Sequence, residues 1–259
     1  MNKKIDALNK LDKKVVLAPM AGITDGDFCK KFKDLFAIVT IGGYNLDTAT
    51  YKASKEIEKR GRKEFSIKLD GFNNYIIEQI EKARESNALV SVNVRFVDID
   101  EAYDKLLTIA KHADIIELNC HCRQPEITSL GIGQELMKNK NLLKEFLDRM
   151  EELNKPIFLK VRLNYIPLKE LIDNLNYVRD YFDGLHVDCF YPGRPYADLN
   201  SLKTLAEEFN DKIIIGNNSI DSIEKAKEML RYSDFVSVAR AVLKGNVGWI
   251  KELNNSIYV

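Results

Sequence analysis

The hydrophobic and polar positions of the chain alternate between two kinds of segment. Short runs rich in Val, Ile and Leu are separated by longer stretches in which apolar residues recur at i, i+3 and i+4. This alternation predicts strands joined by helical crossovers, as in a parallel sheet. The predicted strands lie near Val15–Ala18, Ala37–Ile41, Phe65–Leu69, Leu89–Val94, Asp114–Asn119, Ile157–Arg162, Gly184–Asp188, Ile213–Gly216 and Phe235–Ala239. The predicted helices include Tyr75–Glu85, Asp100–His112, Leu142–Leu153, Leu168–Tyr181, Leu199–Phe209 and Ser222–Leu230.

The number of strand-like runs is one more than a closed eight-stranded barrel needs. A length of 259 residues suits that fold, because about 250 residues typically close one (β/α)8 core. No Ser/Gly-rich linker, low-complexity tract or repeat divides the chain. We therefore predict an α/β fold, a single-domain (β/α)8 TIM barrel over residues 1–259. Phe65–Leu69 is assigned to an excursion between the second and third barrel strands.

Composition and cysteine usage narrow the class of protein. Apolar residues make up 45% and charged residues 30% of the chain, which is typical of a globular enzyme. No apolar run approaches the roughly 18 residues of a membrane span, and the first residues lack the core of a signal peptide. We expect a cytoplasmic protein.

The four cysteines of the chain are too few for a disulfide framework and are predicted to be free thiols: Cys29, Cys120, Cys122 and Cys189.

The charge balance bears on nucleic-acid binding. Lys plus Arg and Asp plus Glu number 39 each, so the formal net charge is zero and no overall positive field attracts RNA. A nucleic-acid site would have to be a local patch, and the best candidate is the cation-rich run Lys52–Lys63. A solvated helix face explains this run as well and is the favoured interpretation.

Polar residues gather where the predicted strands end. In a (β/α)8 barrel these positions form the active face, and here they carry Asn119-Cys120-His121-Cys122 and Gly216-Asn217-Asn218-Ser219. Lys160 stands inside the apolar run Phe158–Leu163. Burying its ammonium without a partner would cost several kcal/mol. The sequence therefore predicts that Lys160 either contacts a ligand or belongs to an ion pair inside the barrel.

Several of these motifs resemble the tRNA-dihydrouridine synthases and, more distantly, the dihydroorotate dehydrogenases, both of which are FMN-dependent barrels. The string Ala18-Pro19-Met20-Ala21-Gly22-Ile23-Thr24-Asp25 is the most specific match to the synthases. Further matches are Asn119-x-x-Cys122, Lys160-Val161-Arg162-Leu163, the Gly216-Asn217 turn and Arg240-Ala241. They occur in the family's order from about residue 15 to 250.

The resemblance implies an FMN-dependent reductase of a uracil-type ring, which for the synthases converts uridine in tRNA to dihydrouridine, with a nicotinamide as the expected electron donor. By resemblance, Cys122 protonates the substrate carbon. Asn119 presents an amide to the edge of the base. Lys160 lies against the flavin, where a cation stabilises the reduced anionic form, and His186 lies beside the flavin ring.

The remaining implied flavin contacts surround the mouth of the barrel. They are Pro19, Met20 and Ala21 after the first strand, Asn93 in place of a family glutamine, and the phosphate-binding residues Asn217, Asn218, Ala239 and Arg240. Asn218 and Ala239 replace glycines that are common in the family. Asparagine tolerates the left-handed conformation, whereas Ala239 adds a methyl group where the backbone approaches phosphate. Arg240 can offset part of this loss with a charge-assisted contact.

Other functions remain open from the residues alone. The synthases carry a helical RNA-binding domain after the barrel, and here only about ten residues follow Trp249; this favours a flavin enzyme with a small substrate, in the manner of dihydroorotate dehydrogenase. In a flavin-free lyase or synthase, Lys160 would form a Schiff base. A barrel that only binds a phosphate ligand would need no chemistry. No metal site is predicted, because the cysteines form no C-x-x-C pair.

Overall fold

Parallel strands close into a barrel in the computed structural model, which describes residue 8 and residues 10–256. Each strand pairs with the next one in sequence, and the last pairs with the first. The (β/α)8 TIM barrel predicted from the sequence is thereby confirmed. The eight strands are β1 Val15–Leu17, β2 Ile38–Asn45, β3 Leu89–Arg95, β4 Ile115–Cys120, β5 Ile157–Arg162, β6 Gly184–Asp188, β7 Ile213–Asn217 and β8 Phe235–Val238.

Helices cover the outside of the barrel, and several of them begin at a side-chain cap. Side-chain oxygens of Asp47, Asp98, Asn139, Asp198 and Ser222 accept backbone N–H groups of the following first turns. None of the described helices is long and apolar enough to cross a bilayer. The helices are α1 Gly26–Cys29, α2 Thr48–Lys59, α3 Phe72–Arg84, α4 Ile99–His112, α5 Pro125–Thr128, α6 Lys140–Glu151, α7 Leu168–Tyr177, α8 Leu199–Glu208, α9 Ile223–Met229, α10 Arg240–Leu243 and α11 Gly248–Ser256.

The interior of the barrel has an apolar floor. Side chains alternate between the two faces of each strand, so in β5 Leu159 and Val161 belong to the core under the helices while Phe158 belongs to a separate interior cluster. That interior cluster closes the N-terminal half of the barrel with Val16, Ile38, Ile115, Phe158, Ile213, Ile215 and Phe235. Lys160 follows Phe158 on the same face, so the first polar layer of β5 lies directly above the floor.

The predicted strand Phe65–Leu69 is wrong. Only Phe65 makes a bridge, to Tyr44, and Leu69–Gly71 is a turn of 3-10 helix. The reason is that β2 already pairs with β1 on one side and β3 on the other, so no free edge is left for a further strand. Phe65 instead packs its ring on Tyr44 with centroids 4.8 Å apart. The prediction that this segment lies outside the barrel is confirmed.

The packing of β5 against β6 provides a test of the apolar floor of the barrel. A Cβ atom added at Gly184 would meet three atoms of the Phe158 ring at 2.7 to 2.9 Å, and Phe158 is buried. We expect Gly184→Ala to lower the free energy of unfolding by about 1–3 kcal/mol, as overpacking does. Combining it with Phe158→Leu should cost less than the sum of the two changes, measured by urea denaturation. Gly248→Ala, which meets open space, is the neutral control, and strict additivity of the pair would contradict the packing argument.

Candidate active site

A buried chain of hydrogen bonds crosses the barrel above the floor. His186 is at its centre: Nδ1 lies 2.6 Å from Glu117 Oε2, and Nε2 lies 2.9 Å from Lys160 Nζ and 2.6 Å from Ser237 Oγ. Asn93 Nδ2 donates to the other Glu117 oxygen at 2.7 Å. All five side chains are at most 3% exposed. They come from β3, β4, β5, β6 and β8, so closure of the barrel is what assembles them.

The charges in this network balance. Burial, together with the nearby Lys160, lowers the pKa of His186 to about 4, so the imidazole is neutral at pH 7. Burial also lowers the pKa of Lys160, and Glu117 opposes this shift. Burial alone would raise the pKa of Glu117, but His186 and Lys160 outweigh it and the pKa lies below its usual value. A neutral imidazole that donates from Nδ1 to the carboxylate and accepts at Nε2 satisfies both neighbours.

Lys160 retains hydrogen-bonding capacity. An ammonium has three N–H donors, and within the described part of the chain His186 is the only hydrogen-bond partner of Lys160. In the sheet register, Lys160 lies beside Asn119 at the end of β4. It therefore lies near the mouth of the barrel with N–H groups available to an electron-rich ligand.

The loop after β4 is fixed by Asn119. Asn119 Nδ2 donates to Asn93 Oδ1 at 2.9 Å, while Asn119 Oδ1 accepts the backbone N–H of Cys122 at 2.9 Å and that of His121 at 3.3 Å. The amide that the sequence predicts as a reader of the base is thus engaged within the protein. Cys122 and Lys160 belong to one connected network, which is the arrangement that the predicted site requires.

Cys122 is the accessible thiol of the site. Its side chain is half-buried, whereas Cys29, Cys120 and Cys189 are buried, and burial raises the pKa of these three thiols well above its ordinary range. No group of three or more His, Cys, Asp or Glu side chains is arranged for a metal ion among the described residues. Among the four cysteines, Cys122 is therefore the one that is accessible at the mouth.

A buried arginine connects Cys122 to the excursion between β2 and β3. Arg95 Nη1 lies 3.5 Å from Cys122 Sγ, and Nε donates to Asn45 Oδ1 at 2.7 Å. A further nitrogen, Nη2, is paired with the carboxylate of Glu64. Burial raises the pKa of Glu64, although Arg95 acts in the opposite direction. The guanidinium thus joins the ends of two strands, the excursion and the thiol.

A second cluster forms at the mouth around Asp188. One carboxylate oxygen accepts from Arg162 Nη1 at 2.6 Å and lies 3.0 Å from His121 Nε2, while the other accepts from Asn218 Nδ2 at 2.7 Å. Burial alone would raise the pKa of Asp188, but these donors and the Arg162 charge hold it well below its usual range. The Arg162 guanidinium also stacks on Phe190 at 4.0 Å.

The turn after β7, one of the two predicted to hold phosphate, has a left-handed backbone. Asn218 and Ser219 have φ of 111° and 57°, as expected for an asparagine that replaces glycine. The side chain of Asn217 is fixed on Ser237, with Nδ2 2.9 Å from its carbonyl oxygen. Ala239 is half-buried and Arg240 is exposed.

The turn after β1 forms another part of the rim. Pro19, Met20 and Ala21 are half-buried there. The Met20 N–H donates to Thr24 Oγ1 at 2.8 Å, and the Gly42 N–H donates to the Thr24 carbonyl at 3.0 Å. Thr24 therefore ties this turn to β2.

Sequence analysis missed some of these residues. Glu117 interrupts the apolar run Ile115–Leu118 just as Lys160 interrupts its own strand, so the same signal could have identified it. Ser237 likewise interrupts the apolar run Phe235–Val238, whereas Arg95 and Asp188 stand at strand ends, and their importance depends on which side chains the fold places next to them.

Two comparisons with known proteins identify the family. A family model described as dihydrouridine synthase matches residues 73–246. A probable tRNA-dihydrouridine synthase of Helicobacter pylori is 30% identical over 255 residues, which cover 93% of this chain and 69% of that protein. The chain belongs to the dihydrouridine synthase family. The matched region contains every network residue, from Asn93 to Ser237.

Other similarities agree with the fold but add no activity. An uncharacterised protein of Methanocaldococcus jannaschii is 91% identical over 254 residues, which cover 98% of each chain. A solved structure of a GH18 chitinase from Pseudoalteromonas aurantia has a TM-score of 0.59 at 10% identity and covers 94% of this chain and 100% of that one. At this identity the likeness to the chitinase shows the barrel alone.

The pKa of His186 predicts how stability depends on pH. The folded-state pKa of about 4 lies below the unfolded value of about 6.5. Between these two pH values, His186 therefore binds a proton in the unfolded chain but not in the folded protein. The stabilisation is complete above pH 6.5 and is lost as the pH falls towards 4, by up to about 3 kcal/mol in total. His186→Gln should be less stable at pH 7 but show a shallower loss between pH 6.5 and 4.5 in urea denaturation. His112→Gln, on outer helix α4, is the matched control, and an unchanged slope in His186→Gln would assign the pH dependence to another group.

Proposed function

We propose that this protein is an FMN-dependent dihydrouridine synthase that reduces a uridine of tRNA, with a nicotinamide as the electron donor. The observation that carries the proposal is the buried Lys160, which keeps free N–H donors at the barrel mouth and shares a hydrogen-bonded network with the Cys122 loop. Membership of the dihydrouridine synthase family supports the same reaction.

The residues present fit FMN by the chemistry of their donors. Lys160 offers a cation to the electron-rich edge of a flavin. The left-handed turn at Asn218 and Ser219 exposes backbone N–H groups: those of Ser219 and Ile220 have no acceptor among the described residues. Arg240 is exposed nearby and offers a charge-assisted contact to phosphate. We assign the flavin to this region, with Asn217 and Ala239 beside its phosphate and with Pro19, Met20 and Ala21 on the neighbouring part of the rim, because β1 pairs with β8.

The reaction divides between groups that contact ligand and groups that position them. FMN, when bound and reduced, would supply the hydride, and the Cys122 thiol would give its proton to the substrate carbon. The resulting thiolate has the Arg95 guanidinium 3.5 Å from its sulfur. Asn119 holds the Cys122 loop, and Asn93 holds Asn119. His186 is fully buried, so its part in the proposal is to orient Lys160.

Unpaired cations on the rim support an RNA substrate despite the zero net charge. Within the predicted patch Lys52–Lys63, Lys55, Lys59 and Arg60 form ion pairs with Glu58, Glu56 and Glu126, as expected of a solvated helix face. Exposed cations that have no ion-pair partner among the described residues surround the mouth, and two of them are the last residues of that patch: Arg62, Lys63, Arg123, Arg194 and Arg240. Phosphates could bind there while one uridine is flipped into the site.

Removing the thiol tests the chemistry. We expect the purified chain to show flavin absorbance, and Cys122→Ala to retain it while losing about 10²- to 10⁴-fold in reduction of uridine in an unmodified tRNA transcript. Cys29→Ala, a buried cysteine of α1, is the matched control and should keep both. Absence of flavin after reconstitution, or full turnover by Cys122→Ala, would contradict the proposed function.

Salt dependence tests the RNA partner. If Arg62 and Lys63 contact phosphates, Arg62→Gln/Lys63→Gln should lower the slope of log affinity against log salt by about 1–2. Lys169→Gln/Lys203→Gln removes the same charge from ion pairs on outer helices α7 and α8 and should leave the slope unchanged. Flavin-dependent reduction of a uracil-type ring without salt-sensitive tRNA binding would favour a small-molecule substrate.

A further inference from the structure

His121 lies between Asn119 and Cys122 and has no role in the proposal above. Its Nε2 is 3.0 Å from Asp188 Oδ2, and 30% of its side chain is exposed at the mouth. Its other ring nitrogen, Nδ1, has no hydrogen-bond partner among the described residues. The imidazole is therefore held at one nitrogen and free at the other.

The surroundings of Asp188 fix which nitrogen of His121 carries the proton. Asp188 is an ionised carboxylate that also binds Arg162 and Asn218, and an ionised carboxylate can only accept hydrogen bonds. Nε2 must therefore be the N–H donor. Burial lowers the pKa of His121, so the ring is neutral at pH 7 and Nδ1 presents an unshared electron pair.

This electron pair distinguishes His121 from its neighbours Lys160, Arg162, Asn119 and Asp188, which are donors or are engaged. Lys160 and Arg162 can only donate. The Asn119 oxygen already accepts two backbone N–H groups, and both oxygens of Asp188 accept hydrogen bonds. A ring with an N–H between two carbonyls, as in uracil, needs one acceptor flanked by donors. His121 Nδ1 supplies the acceptor, and Arg162, which shares Asp188 Oδ2 with His121, supplies a neighbouring donor.

We propose that His121 Nδ1 accepts the N3–H of the uracil ring and thereby determines specificity for uracil over cytosine. The inference rests on the proposed function, since it names the residue that reads the substrate of that site. Cytosine has an unprotonated N3, so two electron pairs would face each other and neither nitrogen would gain a hydrogen bond. We expect discrimination of about 10- to 100-fold, because the unmatched acceptor would be left without a partner.

Nitrogen NMR of the histidine rings tests the proposal directly. In the full-length, FMN-treated protein with ¹⁵N-labelled histidine, His121 should be an Nε2–H tautomer, assigned by its absence in His121→Gln. Uridine 5′-monophosphate should shift its Nδ1 resonance upfield, whereas 3-methyluridine 5′-monophosphate, which lacks the N3–H, should not. His112 on the outer helix is the internal control. An Nδ1–H tautomer, no shift with uridine monophosphate, or equal shifts with both nucleotides would overturn the proposal.

Substitution separates this inference from the proposed function. In His121→Ala, the preference for a uridine-containing over a 3-methyluridine-containing RNA should fall by about 10- to 100-fold, mainly through KM, with flavin absorbance retained. His121→Gln keeps a side-chain acceptor and should retain part of the preference. If His121→Ala holds flavin and still discriminates fully, His121 does not read the ring, although the reductase assignment survives. If no flavin is bound, the proposed function fails, but the tautomer and nucleotide-shift measurements still test whether His121 Nδ1 accepts the N3–H of uracil.

Discussion

The site depends on the neutralisation of one buried ammonium. Lys160 lies in the middle of a strand where a lone charge would cost several kcal/mol, and its positive charge is balanced by Glu117 through the neutral ring of His186. These residues belong to three neighbouring strands, and Ser237 and Asn93 complete the network from two more. A hydrogen-bonded set of this kind cannot form before the sheet closes, so the charge balance and the barrel topology stabilise each other.

The two-residue period of the strands explains why the chemistry lies at one end. On β5 the inward positions are Phe158, Lys160 and Arg162, which belong in turn to the floor, the buried network and the mouth. On β6 the same positions are Gly184, His186 and Asp188, and Gly184 leaves the space that the Phe158 ring fills. Polarity therefore rises along each strand towards its C-terminal end, where the loops leave the barrel. An apolar floor excludes water from below and strengthens the electrostatic interactions of the layer above.

The sequence predicts the barrel well because its evidence is local. Short apolar runs between helical segments identify the barrel strands, and this signal fails at Phe65–Leu69, where residues with strand propensity find no free sheet edge. Lys160 and His186 can be found as polar residues in apolar strands. The pairing of Arg95 with Glu64 and of His121 with Asp188 joins residues 31 and 67 positions apart. Such contacts are set by how loops meet above a closed barrel, and no short-range pattern encodes them.

The Asn119 amide shows how the buried network reaches the thiol. Two hydrogen bonds separate Asn93 from the Cys122 backbone, and each uses a different end of the same planar amide. Rotation of that amide would break both bonds, so the loop position and the network are coupled rather than independent. Since Asn93 in turn donates to Glu117, the carboxylate that balances Lys160 also anchors the chain that positions Cys122. Preorganisation of the reacting groups thus comes from the buried interior of the barrel, where side chains are tightly packed, and not from the exposed loops.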